Sequence, residues 1–95
     1  MFGSFEWDAG KAEGNIKKHK VSFEEATSVF ADPFLIIFND LDHSFDERRF
    51  IIIGMSEKFR YLFVSFAERE RTRIISAREL TAREKREYED KKPKF

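Results

Sequence analysis

Arg49 to Glu79 reads RFIIIGMSEKFRYLFVSFAERERTRIISARE, and its punctuation decides the fold. Three runs rich in Ile, Val, Phe and Tyr stand out: Arg49–Ser56, Arg60–Arg69 and Thr72–Arg78. In the middle run Leu62, Val64 and Phe66 alternate with Tyr61, Ser65 and Ala67, the period of a strand with one face buried. Glu57-Lys58 and Arg69–Arg71 leave room only for tight turns, so these strands are predicted to run antiparallel.

Working outward, Phe34–Phe38 is a continuous apolar run, expected to form a strand buried on both faces. Asn39–Asp46 is polar and turn-like. Two helices precede it. Asp8 can cap the first, in which Ala9, Ala12, Ile16 and His19 recur on one face while Gly10 and Gly14 weaken it. Ser22 and Glu25 make a capping box for the second, with Val21 and Ala26 placed as a hydrophobic staple. Phe23, Ala26, Thr27 and Phe30 line its apolar face, and Asp32-Pro33 stops it. Phe5 and Trp7 read as a short first strand. Downstream, Thr81 and Glu84 form another capping box, opening a helix whose only apolar contacts come from Leu80, Ala82 and Tyr88. Such a helix docks weakly or waits for a partner. The order is β-α-α-β-β-β-β-α: an α+β fold, an antiparallel sheet with helices mainly on one face, in a single domain over residues 1–95.

A chain of 95 residues has room for one modest core. Twelve Phe residues argue against disorder, since they can fill a core that a disordered chain lacks. Without Cys there is neither a disulfide framework nor a thiolate metal site. No basic stretch followed by an apolar run suggests a secretory signal, and no run is long enough to span a membrane; a cytoplasmic location is expected. Net charge is zero but segregated: residues 1–47 carry −6 and residues 48–95 carry +6, with all nine Arg in the second half. Guanidinium groups suit planar contacts to phosphate or carboxylate, so one basic surface on an acidic body is expected. The alternative is that these Arg residues merely solvate strands and a helix.

No glycine-rich phosphate loop, nucleophile elbow or zinc-helix motif occurs. Asp40, Asp42 and His43 have a weak metal-ligand spacing that a polar turn explains better, so neither metal nor cofactor is expected. Chemistry on phosphate remains. Metal-free RNA cleavage needs a base for the 2′-OH, an acid for the leaving oxygen and cations for charge building on phosphorus. His19, His43, Glu47 and Glu68 are the proton-transfer candidates; Arg48, Arg60, Arg69, Arg73 and Arg78 are the phosphate candidates. On an unbroken strand Arg71 and Arg73 share one face and Arg78 falls on the other, unless a bulge intervenes. His19 shares a helical face with Ile16 and Ala12, so a core histidine is its bland alternative.

Several stretches together resemble one family. They are W-D-x-x-K-x-x-x-N-x-x-K-H (Trp7–His19), V-S-F-E-E-A-x-x-V-F-A-D-P (Val21–Pro33), D-H-S-x-x-E-R-R (Asp42–Arg49), I-G-x-S (Ile53–Ser56), R-I-I-S-A-R-E (Arg73–Glu79) and E-x-x-x-Y-E (Glu84–Glu89). The chain is similar to the BrnT toxins from residue 5 to about residue 90. That resemblance implies a RelE-like fold and a metal-independent endoribonuclease that inhibits translation in a type II toxin–antitoxin system. Its partner would be a BrnA-like ribbon-helix-helix antitoxin, joined in a heterotetramer that reaches promoter DNA only through the antitoxin. RNA is then the substrate, and no membrane is involved. Carried onto this chain, His19, Glu47, Arg48, Glu68, Arg69, Arg73 and Arg78 are expected at the catalytic centre, and Lys18, Arg60, Arg71 and Ser76 on RNA. An acidic antitoxin segment is expected on the C-terminal helix and the Arg-rich strands. Family members usually carry Gly where this chain has Lys20 and often where it has Phe59, positions suited to left-handed turns. A second possibility is a non-catalytic relative that keeps only the antitoxin-binding surface; a ligand-binding domain has little support.

Overall fold

The structure, a computed structural model, describes residues 3–43 and 47–91. The elements are β1 (Phe5–Glu6), α1 (Ala9–His19), α2 (Phe23–Ser28), β2 (Ile36–Asn39), β3 (Arg49–Met55), β4 (Tyr61–Glu68), β5 (Thr72–Glu79) and α3 (Ala82–Lys91). Short 3₁₀ turns follow α2 and β2, at Val29–Ala31 and Leu41–His43. This is the expected order. The rest of the polar loop, residues 44–46, lies outside the described residues, as do the ends of the 1–95 domain.

One five-stranded sheet runs β1-β5-β4-β3-β2. The short connections make β2 to β5 antiparallel. The sheet is nevertheless mixed, which corrects the all-antiparallel expectation: β1 pairs parallel with β5, Phe5 opposite Thr72 and Glu6 opposite Arg73. No turn ties β1 to its neighbour, so no turn dictates its direction. The expectation of helices mainly on one face holds for α1 and α2. Val21, Phe23, Ala26, Val29 and Phe30 pack there against Ile52, Leu62, Val64, Phe66, Ile74 and Ala77. The third helix crosses the other face, where Tyr88 packs on Tyr61 at 5.1 Å between ring centroids.

Both capping boxes are half or wholly built. Thr81 Oγ1 accepts the Glu84 N–H (3.2 Å) and Glu84 Oε1 accepts the Thr81 N–H (2.9 Å). Ser22 Oγ likewise accepts the Glu25 N–H at 3.0 Å. Glu25 itself does not reach back. Its carboxylate is buried, accepts the Ser56 hydroxyl at 2.7 Å and takes two nitrogens of Arg60. The Arg60 Nη2 that reaches Glu25 also donates to the Lys20 carbonyl at 3.0 Å. This clasp joins the α1–α2 corner to the β3–β4 turn. The corner and the turn each hold a left-handed residue, Lys20 (φ 60°) and Phe59 (φ 62°).

Two more expectations are corrected. The Ile16 side of α1 is not the buried one: Ile16 is 47% exposed and Asn15 is buried. Beyond the two residues of β1, the outer edge of β5 is open, and the Asn15 carboxamide pairs with it like a strand. Its nitrogen donates to the Ala77 and Val21 carbonyls (2.8 and 2.9 Å), and its oxygen accepts the Ala77 N–H (3.1 Å). Phe34–Phe38, in turn, is not a strand buried on both faces. It yields the edge strand β2, with Ile37 and Phe38 exposed. Where β2 has not yet begun, Asp32 stands in for it: Oδ2 accepts the Met55 N–H at 2.8 Å and the Tyr88 hydroxyl at 2.7 Å. Gly54 permits this, because a Cβ there would sit 2.8 Å from that oxygen.

Candidate functional site

The face of the sheet turned away from α1 and α2 collects the polar chemistry. Strand alternation decides which side chains reach it. Leu62, Val64 and Phe66 point to the core, so Tyr61, Phe63 and Ser65 point to the open face. Across on β5, Arg78 pairs with Phe63 and Ser76 with Ser65. Next the register slips: Phe66 pairs with Ile74 and Ala67 with Arg73, leaving Ile75 as an extra residue. A bulge of one residue reverses facing. Arg73 is thereby brought onto the same face as Ser76 and Arg78, which an unbroken strand forbids. Arg49 of β3 joins them, since it pairs with Ala67.

The result is a floor of two facing serines with guanidinium groups at both ends. At one end Arg73 approaches Glu6 (3.3 Å), while Glu47 holds Arg49 (3.1 Å) and Arg69 (2.7 Å) together. At the other end Arg78 lies 4.0 Å over the Phe63 ring, and Glu84 of α3 grips both its terminal nitrogens at 2.8 and 3.0 Å. The Arg78 guanidinium pulls the Glu84 carboxyl down to about 2, helped by the Thr81 bonds. Arg69, followed by Arg49, holds Glu47 below the ordinary carboxylate range. Both carboxylates are therefore ionised at neutral pH. Neither can donate a proton, and each has its basicity reduced.

The remaining sequence candidates are placed elsewhere. Arg48 and Glu68 pair with each other at 3.5 Å, with Arg48 lying over Phe50 on the core-side face. Arg60 belongs to the Glu25 clasp. Arg71 is exposed in the β4–β5 turn. Lys18 and His19 end α1; His19, four residues past Asn15, lies on that side of the helix, toward the outer edge of β5 and away from the serine floor. His43 lies within 3.1 Å of Asp40. Among the described residues no three His, Cys, Asp or Glu side chains gather as a metal site. No described helix is long and apolar enough to cross a membrane. The sequence reading missed Arg49 and Glu6. Arg49 had a usable signal: it precedes Phe50, a core-facing residue, so alternation sends it to the open face.

A small α+β domain with a guanidinium-lined sheet face has the makings of a protein that handles phosphodiesters. The family model described as "Ribonuclease toxin, BrnT, of type II toxin-antitoxin system" matches residues 7–84. This chain belongs to that family, and as a type II toxin it has an antitoxin as its expected partner. No curated protein matches it.

Proposed function

We propose that the chain is a metal-independent endoribonuclease that halts translation by cutting RNA on the open face, with a RelE-like arrangement of sheet and helices. One observation carries this reading: the bulge at Ile75 puts Arg73, Ser76 and Arg78 on one surface, opposite Ser65. Arg73 and Arg78 hold the scissile phosphate, and Arg49 and Arg69 neutralise the charge that builds on it. Of the two groups carried over for proton transfer, Glu47 stands at this face beside Arg49 and Arg69, whereas His19 lies toward the outer edge of β5 and serves only RNA that reaches round that edge. An imidazole carrier leaves a limb in the rate profile between pH 5 and 8; a carboxylate held low leaves none there. A ribbon-helix-helix antitoxin, two copies of each chain per complex, neutralises the toxin in the cytoplasm and supplies the DNA contact.

The non-catalytic alternative draws on a specific observation. Glu6, Glu47 and Glu84 already occupy the guanidinium groups that RNA would need. Purified protein incubated with labelled RNA in EDTA separates the readings. Cleavage is expected to persist in EDTA and to fall roughly a hundredfold or more in Arg73→Ala and Arg78→Ala. Undiminished cleavage in both variants refutes the assignment; absence of cleavage and of growth arrest in the unaltered protein supports the alternative.

A further inference from the structure

β2 ends the sheet on one side, with no strand beyond it among the described residues. The Asp40 N–H bonds the Arg49 carbonyl at 2.9 Å. Antiparallel ladders alternate between bonded and non-bonded pairs. By that alternation Ile36 and Phe38 turn their backbone groups toward β3, and Ile37 and Asn39 turn theirs outward. Natural sheets blunt such edges with charge, proline or a bulge. Ile36–Asn39 has none of these, and its Ile37 and Phe38 side chains are 40% and 43% exposed.

Two hollows flank this edge, one on each face of the sheet. Beneath α3 a cleft of about 430 Å³ is lined by Ile36, Phe38, Ile53, Phe63 and Tyr88, with Glu84, Glu87 and Lys91 at its rim. On the core-side face a smaller hollow of about 210 Å³ lies among Ile37, Phe50 and Phe66, with Arg48 and Glu68 beside them. A strand added to an edge sends alternate side chains to opposite faces. In that mode main-chain bonds supply affinity and paired pockets supply selectivity.

We propose that the β2 edge is the docking line for an extended antitoxin segment, apolar at alternate positions and flanked by basic residues, which becomes a sixth strand. This rests on the toxin reading. Charge selects the occupant. Asp40 and Asp42 follow β2 directly, and Glu84 and Glu87 border the cleft against Lys91, while Arg48 and Glu68 at the smaller hollow pair with each other. A second copy pairing antiparallel along the same edge brings the aspartates of one chain toward Glu87 of the other. An RNA backbone meets the same acids. A basic, apolar polypeptide meets neither obstacle. The acidic segment expected from sequence has less to gain on the Arg-rich strands, where Arg69, Arg73 and Arg78 already hold carboxylates of this chain.

Hydrogen exchange on the toxin, free and co-purified with its cognate antitoxin, tests this. The Ile37 and Asn39 amides are expected to gain at least tenfold protection in the complex. Asn39→Pro removes an outward N–H and leaves the ladder to β3 intact; it is expected to weaken antitoxin binding at least tenfold, with melting and RNA cleavage retained. Ile37→Lys gives the same comparison should the proline variant fail to fold. The proposal is overturned if the antitoxin does not bind, or if Ile37 and Asn39 exchange in the saturated complex as they do in the free protein. Protection that rises with toxin concentration alone, or on adding an oligoribonucleotide, also overturns it in favour of a second copy or RNA. Protection at this edge in the complex, together with failure of the free toxin to cut RNA, refutes the ribonuclease reading and leaves the docking site standing.

Discussion

Replacing Glu25 by Ala is expected to be the most damaging single change outside the apolar core. Its carboxylate is 1% exposed, and the change strands Arg60, the Ser56 hydroxyl and the hold on the Lys20 carbonyl. Breaking a buried ion pair from one side costs about 3–5 kcal/mol. Arg60 keeps 26% of its side chain in solvent, so the lower end, about 3 kcal/mol, is the expectation. A domain this size is stable by about 5–14 kcal/mol, and each kcal/mol moves the midpoint by about 4–8 °C, giving a drop of about 12–24 °C. Circular dichroism melting reads this directly. Glu25→Leu combined with Arg60→Met is expected to recover most of the loss, because the desolvation cost vanishes with the charges. The pH dependence has a definite sign. Arg60 and Ser56 hold the Glu25 carboxyl below its ordinary value, so the folded protein binds fewer protons than the unfolded one. The stabilisation is present above the unfolded value near 4.5 and is lost as pH falls through the folded value. The acid limb of the stability curve should therefore flatten in Glu25→Gln. A cost below about 1 kcal/mol, the range of exposed ion pairs, refutes the buried-clasp reasoning.

Phe59→Gly is expected to stabilise the protein by about 1 kcal/mol, since a left-handed conformation penalises any side chain and an 83%-exposed ring contributes no packing; a lowered melting midpoint contradicts this. Asn15→Leu should cost about 2–4 kcal/mol by leaving the Ala77 amide and two carbonyls unpaired, with accelerated exchange at the Ala77 amide as the local signature. Gly54→Ala should cost about 1–3 kcal/mol by pushing Asp32 off Met55 and Tyr88, seen in tyrosine fluorescence as well as in melting.

Local signals in the sequence carried most of the fold. The Thr81–Glu84 box, the Asp32-Pro33 stop and the alternation of Tyr61–Ala67 depend on neighbours a few residues away, and each formed as read. Long-range facts did not show. Apolar Phe34–Phe38 carries the same letters whether the strand lies inside a sheet or at its rim; only the ladder order separates the two. Nothing local to Asn15 tells that an open strand edge lies 62 residues on. The site was legible as a set of residue types but not as a surface. Whether Arg73 and Arg78 share a face turns on the single extra residue Ile75, and no composition rule marks a bulge there.

Glu84 does two jobs with one carboxylate: it closes the first turn of α3 through Thr81 and fixes the aim of Arg78. Drift at position 84 therefore cannot be absorbed piecemeal. Losing the acid frays a helix and frees a cation at once, so evolutionary replacements at Arg78, Thr81 and Glu84 should travel as a linked set rather than one by one.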